Sequence, residues 1–343
     1  MSIVCVGSVA LDSVSTPSGK REEALGGAAT YFSAAASLFT HVDVVAVVGE
    51  DFPEKHLAFL KEKGVGLSGL ERRAGRTFRW TGEYGYDLNE AKTLKTELNV
   101  FETFRPEVPA PLRKSEWLFL GNIDPKLQLD VLNQIEKPRL IAADTMNYWI
   151  NDHLESLKKV LARIDLLFIN DAEARQLVKT SNIVKAARAI QAMGPKIVCI
   201  KRGEYGAMLF LPVAGSLGGS LAGGAPGHGK PDDAADIFAI PAMPLTDVQD
   251  PTGAGDSFAG GFFGSLVQHV AAGEISPAAL RRAAVYGTVL ASFAVERFGL
   301  ERVATLTRPE IEQRFLAFGN LTWQSAVAAS TGTVDKAVAG EHA

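Results

Sequence analysis

The run Asp250-Pro251-Thr252-Gly253-Ala254-Gly255-Asp256-Ser257-Phe258-Ala259-Gly260-Gly261-Phe262 holds the ingredients of anion chemistry. Gly253, Ala254 and Gly255 carry little or no side chain, so their backbone N–H groups can approach a charged ligand closely. Downstream, Phe258, Phe262, Leu266 and Val270 recur every fourth residue, which predicts a helix. Upstream, Asp236 to Leu245 reads as an extended, largely apolar segment. The small residues therefore fall where a loop becomes a helix, and the helix N-terminus adds about half a positive charge. Together they form a cradle for phosphate. Asp256 falls in the first helical turn and faces the same place. A carboxylate there is either a base beside a reacting phosphate or a helix cap. A tight turn followed by a capping aspartate has the same local sequence, because short glycine motifs are common.

The rest of the chain predicts elements that could position such a cradle. Ile3 to Val9 and Val42 to Val48 read as buried strands. Asp12 stands just past the first of them, where α/β folds place ligand contacts. Gly26-Gly27 precedes a helix expected over Ala28 to Phe39, and Pro53 to Lys63 reads as a second helix. From Glu116 a strand–helix rhythm sets in, with strands at Trp117 to Gly121, Leu140 to Asp144, Leu166 to Asn170 and Ile197 to Lys201. That rhythm predicts a parallel sheet with right-handed crossovers. Asn122, Asp124, Asp144, Asn147 and Asn170 form a polar rim at the strand ends. Asn170-Asp171-Ala172-Glu173 has the spacing of a capping box. In Thr77 to Asp87, Phe78, Trp80, Tyr84 and Tyr86 alternate with polar residues, with Gly82 between them. That is strand period with one aromatic face, suited to a half-buried sheet, a lid over a substrate or a dimer surface.

Composition narrows the functional classes. The 343 residues are 47% hydrophobic, enough to bury a large α/β core. The net charge of -4 without a long basic run argues against nucleic acid as a partner. No apolar stretch approaches the roughly 18 residues of a membrane span. Met1 to Ala10 begins directly with a strand pattern and has no basic flank, so no secretory leader is expected. Cys5 and Cys199 lie in apolar runs and read as reduced core residues of a cytoplasmic protein.

Over its whole length, Asp250 to Phe262 resembles the signature of the ribokinase (PfkB) family of carbohydrate and nucleoside kinases. Weaker similarity extends from about Ile3 to Leu306. The resemblance implies a single three-layer α/β/α kinase domain over residues 1–310. It would have a mostly parallel central sheet and a small β-lid from roughly 13–25 and 75–104. Asp256 would be the catalytic base, taking the proton from an acceptor hydroxyl that attacks the γ-phosphate of ATP. Gly253, Ala254 and Gly255 would be the anion hole. Asp12, Gly26 and Gly27 would bind the acceptor. Tyr31 stands where the family carries a substrate-binding asparagine. Asn170, Lys201, Gly203, Gly206, Thr252, Gly287 and Thr288 would serve ATP, with Lys201 replacing the usual threonine of the nucleotide loop. Glu173 would place Mg²⁺ through water, and Asp250 would contribute to a K⁺ site. The arginine that often follows the strand ending in Asp144 is absent, since this chain reads Asp144-Thr145-Met146-Asn147-Tyr148-Trp149. The segment between Asp12 and Gly26 is short, which implies a reduced lid.

Three functions fit these residues: an ATP-dependent sugar kinase acting on a hydroxymethyl group, a nucleoside kinase of the same fold, and a non-catalytic kinase-like regulator. The first is the leading expectation, as a monomer or a homodimer through the lid. The aromatic stripe and Tyr31 speak for the second, because ring faces suit a planar base. An intact Asp256 and anion hole speak against the third. The Gly-rich segment 213–233 is expected to be a surface insertion and residues 325–343 a flexible tail.

Overall fold

Apolar runs that alternate with amphipathic stretches build a large sheet with helices on both faces. The computed structural model describes residues 1–212, 236–270 and 273–322. The expected insertion at 213–233 and tail at 325–343 lie outside the described residues. The chain opens with β1 (Ser2–Val6), β2 (Ala10–Thr16), β3 (Gly19–Gly26), α1 (Ala28–Ala36), β4 (His41–Gly49), α2 (Glu54–Glu62), β5 (Val65–Arg73), β6 (Arg79–Tyr84) and β7 (Ala91–Glu97). The expected rhythm follows in β8 (Trp117–Leu120), α3 (Pro125–Leu132), β9 (Leu140–Asp144), α4 (Asn147–Asp152), α5 (Leu154–Leu161), β10 (Leu166–Asn170), α6 (Asp171–Val178), α7 (Ile183–Gln191) and β11 (Ile197–Lys201). Next come β12 (Ala207–Phe210), β13 (Ile237–Ile240), α8 (Ala254–Val270), α9 (Pro277–Ala294), α10 (Glu301–Thr305) and α11 (Arg308–Thr322).

The main sheet has the order β13-β12-β11-β10-β9-β8-β1-β4-β5. Pairing is parallel from β11 through to β5, and β12 and β13 join antiparallel at one edge. The pleat sends alternate side chains to opposite faces. Ile3 and Cys5 enter a core with α1, α8 and α9, while Val4 and Val6 enter a second core with α3, α5, α6 and α7. That gives three layers, with the strands buried on both sides as parallel sheets require. Cys5 and Cys199 are free and buried. Helix starts follow capping chemistry: Asp124 accepts from Lys126 N–H ahead of α3, and Ser276 from Ala279 N–H ahead of α9. No helix among the described residues is long and apolar enough to cross a membrane.

The second sheet, in the order β3-β2-β6-β7, is the lid. It differs from the sequence expectation in one way. The run Ile3 to Val9 is not one strand. β1 stops at Val6 because Ser8 turns to serve α1, its Oγ accepting Ala28 N–H and its carbonyl accepting Ala29 N–H. The chain then leaves the core sheet, so Asp12 lies within a lid strand. Residues 10–26 form an antiparallel hairpin beside β6.

Asp51 fixes the root of the lid. Its Oδ1 accepts both N–H and O–H of Thr77, and Arg79 pairs with Asp51 and Glu23, each at 2.8 Å. The strand β7 ends at Glu97, and beyond it Asn99 donates to the Thr77 carbonyl at the lid root.

Candidate active site

The helix that carries the small-residue run is held by contacts between backbones. A Cβ on Gly260 would lie 2.3 Å from the Phe32 carbonyl of α1, and one on Gly261 would lie 2.8 Å from Leu290 of α9. α8 is thus clamped between α1 and α9, and its N-terminus is fixed in the cleft. Gly253, just before it, has φ +72, a region that side chains rarely adopt. Ala254 and Gly255 open the first turn of α8, and the Ala254 N–H donates to the Pro251 carbonyl at 3.1 Å. The small-residue run thus stands at the N-terminus of α8, where the sequence pattern put it.

Asp250 braces the loop before it. One oxygen accepts Thr252 N–H at 2.9 Å and the other accepts Gly299 N–H at 2.8 Å. Tyr31 comes up from α1 beneath the cradle. A Cβ on Gly253 would fall 2.3 Å from its ring, and Tyr31 is only 2% exposed. Its hydroxyl is buried without a hydrogen-bond partner among the described residues.

Asp256 lies among Asp144, Lys201 and Asp12. Burial and the Asp144 carboxylate push its pKa up to about 8, against the pull of Lys201. A base with a pKa near the working pH combines availability with proton affinity. Lys201, at the end of β11, bonds Asp144 Oδ2 at 2.6 Å. A Cβ on Gly255 would sit 3.0 Å from its Nζ, so the ammonium lies against the cradle. Burial works against that charge, but Asp144 and Asp256 more than offset it and raise its pKa.

On the lid side, Asp12 is 5% exposed and its Oδ2 accepts Gly27 N–H at 3.3 Å. Burial lifts its pKa to about 7, the Gly27 bond opposes this, and Asp250 adds to it. A Cβ at Gly26 would overlap the Asp12 carboxylate, at 1.9 Å from Oδ2. Asp12 pairs in register with Trp80 of β6, so both side chains share one face of the lid. The Trp80 indole lies over Gly82 and donates to Thr93 Oγ1. Tyr84 continues that face and meets Thr252 Oγ1 at 3.4 Å. Tyr86 is 98% exposed and takes no part.

The residues that the sequence reading assigned to ATP are less uniform. Asn170 and Glu173 form a complete capping box at α6, with Glu173 Oε2 accepting Asn170 N–H at 3.0 Å. Glu173 is 9% exposed and its pKa rises to about 7, through burial first, with Asp144 also raising it and Asn170 and Lys201 opposing. Gly203 and Gly206 bound a tight turn with φ +55 and +86. Gly287 and Thr288 lie inside α9. Gly287 packs on Phe258, and the Thr288 hydroxyl is buried without a partner among the described residues.

No group of three or more His, Cys, Asp or Glu among the described residues could hold a metal ion. One buried carboxylate at Glu173 fits Mg²⁺, which keeps several waters and takes its other ligands from phosphates.

Sequence reading missed the Asp144–Lys201 pair, although both residues were legible as rim and loop. It also missed Tyr84 as a contact of the anion loop. Its place on the aromatic stripe was the available signal.

Residues 1–305 match the model of the pfkB family carbohydrate kinases. The chain is 27% identical over 270 residues to the cytidine kinase of Thermococcus kodakarensis, covering 76% of this chain and 87% of that one. The nucleoside kinase of Methanocaldococcus jannaschii has the same fold, with a TM-score of 0.66 and 20% identity over 92% of this chain and 98% of that one. So does the aminoimidazole riboside kinase of Salmonella enterica, solved with aminoimidazole riboside and an ATP analogue. Its TM-score is 0.68 at 16% identity, over 92% of this chain and all (100%) of that one. Kinases of this kind use ATP and Mg²⁺ to phosphorylate a hydroxyl group of a sugar or nucleoside. The chain belongs to the pfkB family of carbohydrate kinases.

Proposed function

We propose that this kinase phosphorylates the hydroxymethyl group of a nucleoside. The observation that carries this reading is the register of the lid: Trp80 stands beside Asp12 on one face, and Tyr84 follows. A carboxylate that grips sugar hydroxyls next to an indole matches a ribose joined to a planar base. The named activities of the cytidine and nucleoside kinases that the chain resembles support the same class.

In this mechanism Asp12, oriented by Gly27 N–H, holds the sugar hydroxyls. Asp256 takes the proton from the hydroxymethyl O–H as its oxygen attacks the γ-phosphorus of ATP. The bond to the β-phosphate oxygen breaks and ADP leaves. The N–H groups of Gly253 and Gly255 and the Lys201 ammonium face the charge on the transferring group, where preorganised donors are worth most. Lys201 thereby offsets the absent arginine after Asp144. Mg²⁺ would neutralise phosphate charge, held from this chain by Glu173 through water. Asn170 and the 203–206 turn flank the nucleotide, with Gly287 and Thr288 supporting α8 from behind. Tyr31 packs under Gly253 and fixes its φ. Asp250 clamps the 252 and 299 backbones.

ADP release with ATP·Mg²⁺ across a panel of nucleosides and free sugars tests the reading, with Trp80→Ala as the companion variant. A nucleoside should be the best acceptor, and Trp80→Ala should raise its KM by about tenfold, a loss of roughly 1.4 kcal/mol. A free sugar that outperforms every nucleoside, with an unchanged KM in Trp80→Ala, refutes it.

A further inference from the structure

We propose that Asn89, in the lid turn between β6 and β7, is a positioning residue that couples the acceptor lid to the nucleotide loop. This rests on the kinase reading above, because it needs a nucleotide at the 201–206 loop and an acceptor under the lid.

The junction is built from both sides. Asn89 Oδ1 accepts the Glu204 backbone N–H at 3.0 Å, and Asn89 Nδ2 donates to Glu204 Oε1 at 3.0 Å. Asp87 holds the amide in place, its Oδ1 accepting Asn89 N–H at 3.0 Å and Nδ2 at 2.9 Å. The loop side is shaped to receive it. Gly203 has φ +55, and a Cβ there would fall 1.9 Å from Asn89 Oδ1. Both its conformation and the close approach require glycine. The same lid segment also touches the core at Tyr84, against Thr252 of the anion loop. From the nucleotide loop, Lys201 leads back to Gly255. The lid turn therefore bridges the acceptor side, which carries Asp12 and Trp80, and the loop that serves the nucleotide.

Solvent-exposed junctions of this kind open locally at low free energy. A nucleotide that orders the 203–206 turn fixes one half of the junction, and an acceptor that orders the lid fixes the other. Each ligand then lowers the ordering cost met by its partner, which is positive coupling without a change of shape. The coupling is reciprocal. An amide is needed because it donates and accepts at once, whereas alanine does neither.

The test titrates AMP-PNP with Mg²⁺ by calorimetry, with and without the best acceptor of the panel. In the wild type the acceptor should tighten AMP-PNP binding by roughly fivefold or more. In Asn89→Ala the ratio should fall to within about twofold of unity while kcat at saturation stays within about twofold. Glu204→Gln keeps the Oε1 acceptor and should retain most of the coupling. An absence of coupling in the wild type, or an unchanged ratio in Asn89→Ala, overturns the proposal. Failure of AMP-PNP to bind at all refutes the kinase reading instead. The junction is then judged by hydrogen exchange in the ligand-free protein. Losing its acceptor in Asn89→Ala should speed exchange of the Glu204 amide by about tenfold, and an unchanged rate overturns the junction itself.

Discussion

Replacing Asp256 by asparagine should abolish transfer and at the same time make the protein more stable. The side chain keeps its shape and loses its charge and its proton affinity. Loss of a positioned base costs about 10²- to 10⁴-fold in rate. The stability effect follows from the cleft around it. Burial and Asp144 raise the Asp256 pKa from 3.8 to about 8, despite Lys201. From pH 4 to pH 8 the folded protein therefore holds a proton that the unfolded chain has released, so stability falls as pH rises through this window. Relaxation and water penetration leave an effective penalty for this buried carboxylate on the order of 3 kcal/mol. Asparagine avoids that cost, so the gain should be fully present at pH 9 and absent near pH 4. For a chain of this size it corresponds to a rise in Tm of about 4 °C. Thermal unfolding of the ligand-free wild type and variant across this range is the assay, read beside turnover. A variant equally or less stable at pH 9, or one that still turns over at the wild-type rate, would refute the reasoning.

Three further outcomes follow from the same geometry. In the wild type, kcat/KM should climb about tenfold per pH unit up to an apparent pKa near 8, the value for the free enzyme's base; a flat profile between pH 6 and 8 contradicts the assignment. Lys201→Met removes the cation opposing that shift, so the rising limb should move to higher pH. The variant should also lose on the order of 3 kcal/mol of stability by leaving Asp144 unpaired, and Lys201→Met with Asp144→Asn should recover part of it. Gly253→Ala should lower kcat by at least about 10²-fold, because the new methyl group meets the Tyr31 ring and the loss of cradle donors costs that much; near-normal kcat would mean that the cradle tolerates displacement.

Much of the architecture was readable because parallel strands are buried on both faces. Trp117 to Gly121, Leu140 to Asp144 and Leu166 to Asn170 stand out as short apolar runs for that reason. The run at the start of α8 was readable because its pattern is local: the small residues and Asp256 are neighbours in sequence. What escaped notice depends on distance along the chain. Asp144 and Lys201 are 57 residues apart, and their 2.6 Å bond leaves no local pattern. The break between β1 and β2 was hidden because Val9, Ala10 and Leu11 continue the apolar run. Only the α1 N–H groups that Ser8 accepts show why the strand must end there. Tyr31 read as a possible ligand contact because burial beneath Gly253 is a property of packing, not of residue type.

In the proposed mechanism, the passage of β2 out of the core sheet divides the molecule by task. Asp12 and Trp80 belong to the small sheet, whereas the cradle and Asp256 belong to a helix locked between α1 and α9. Substitutions that retune the choice of acceptor can collect on β2, β3, β6 and β7 without disturbing the packing that holds Gly253 to Asp256. Changes at the α8 glycines, where backbones meet, carry no such freedom. Over evolutionary time this chain can exchange one alcohol for another more readily than it can exchange its chemistry.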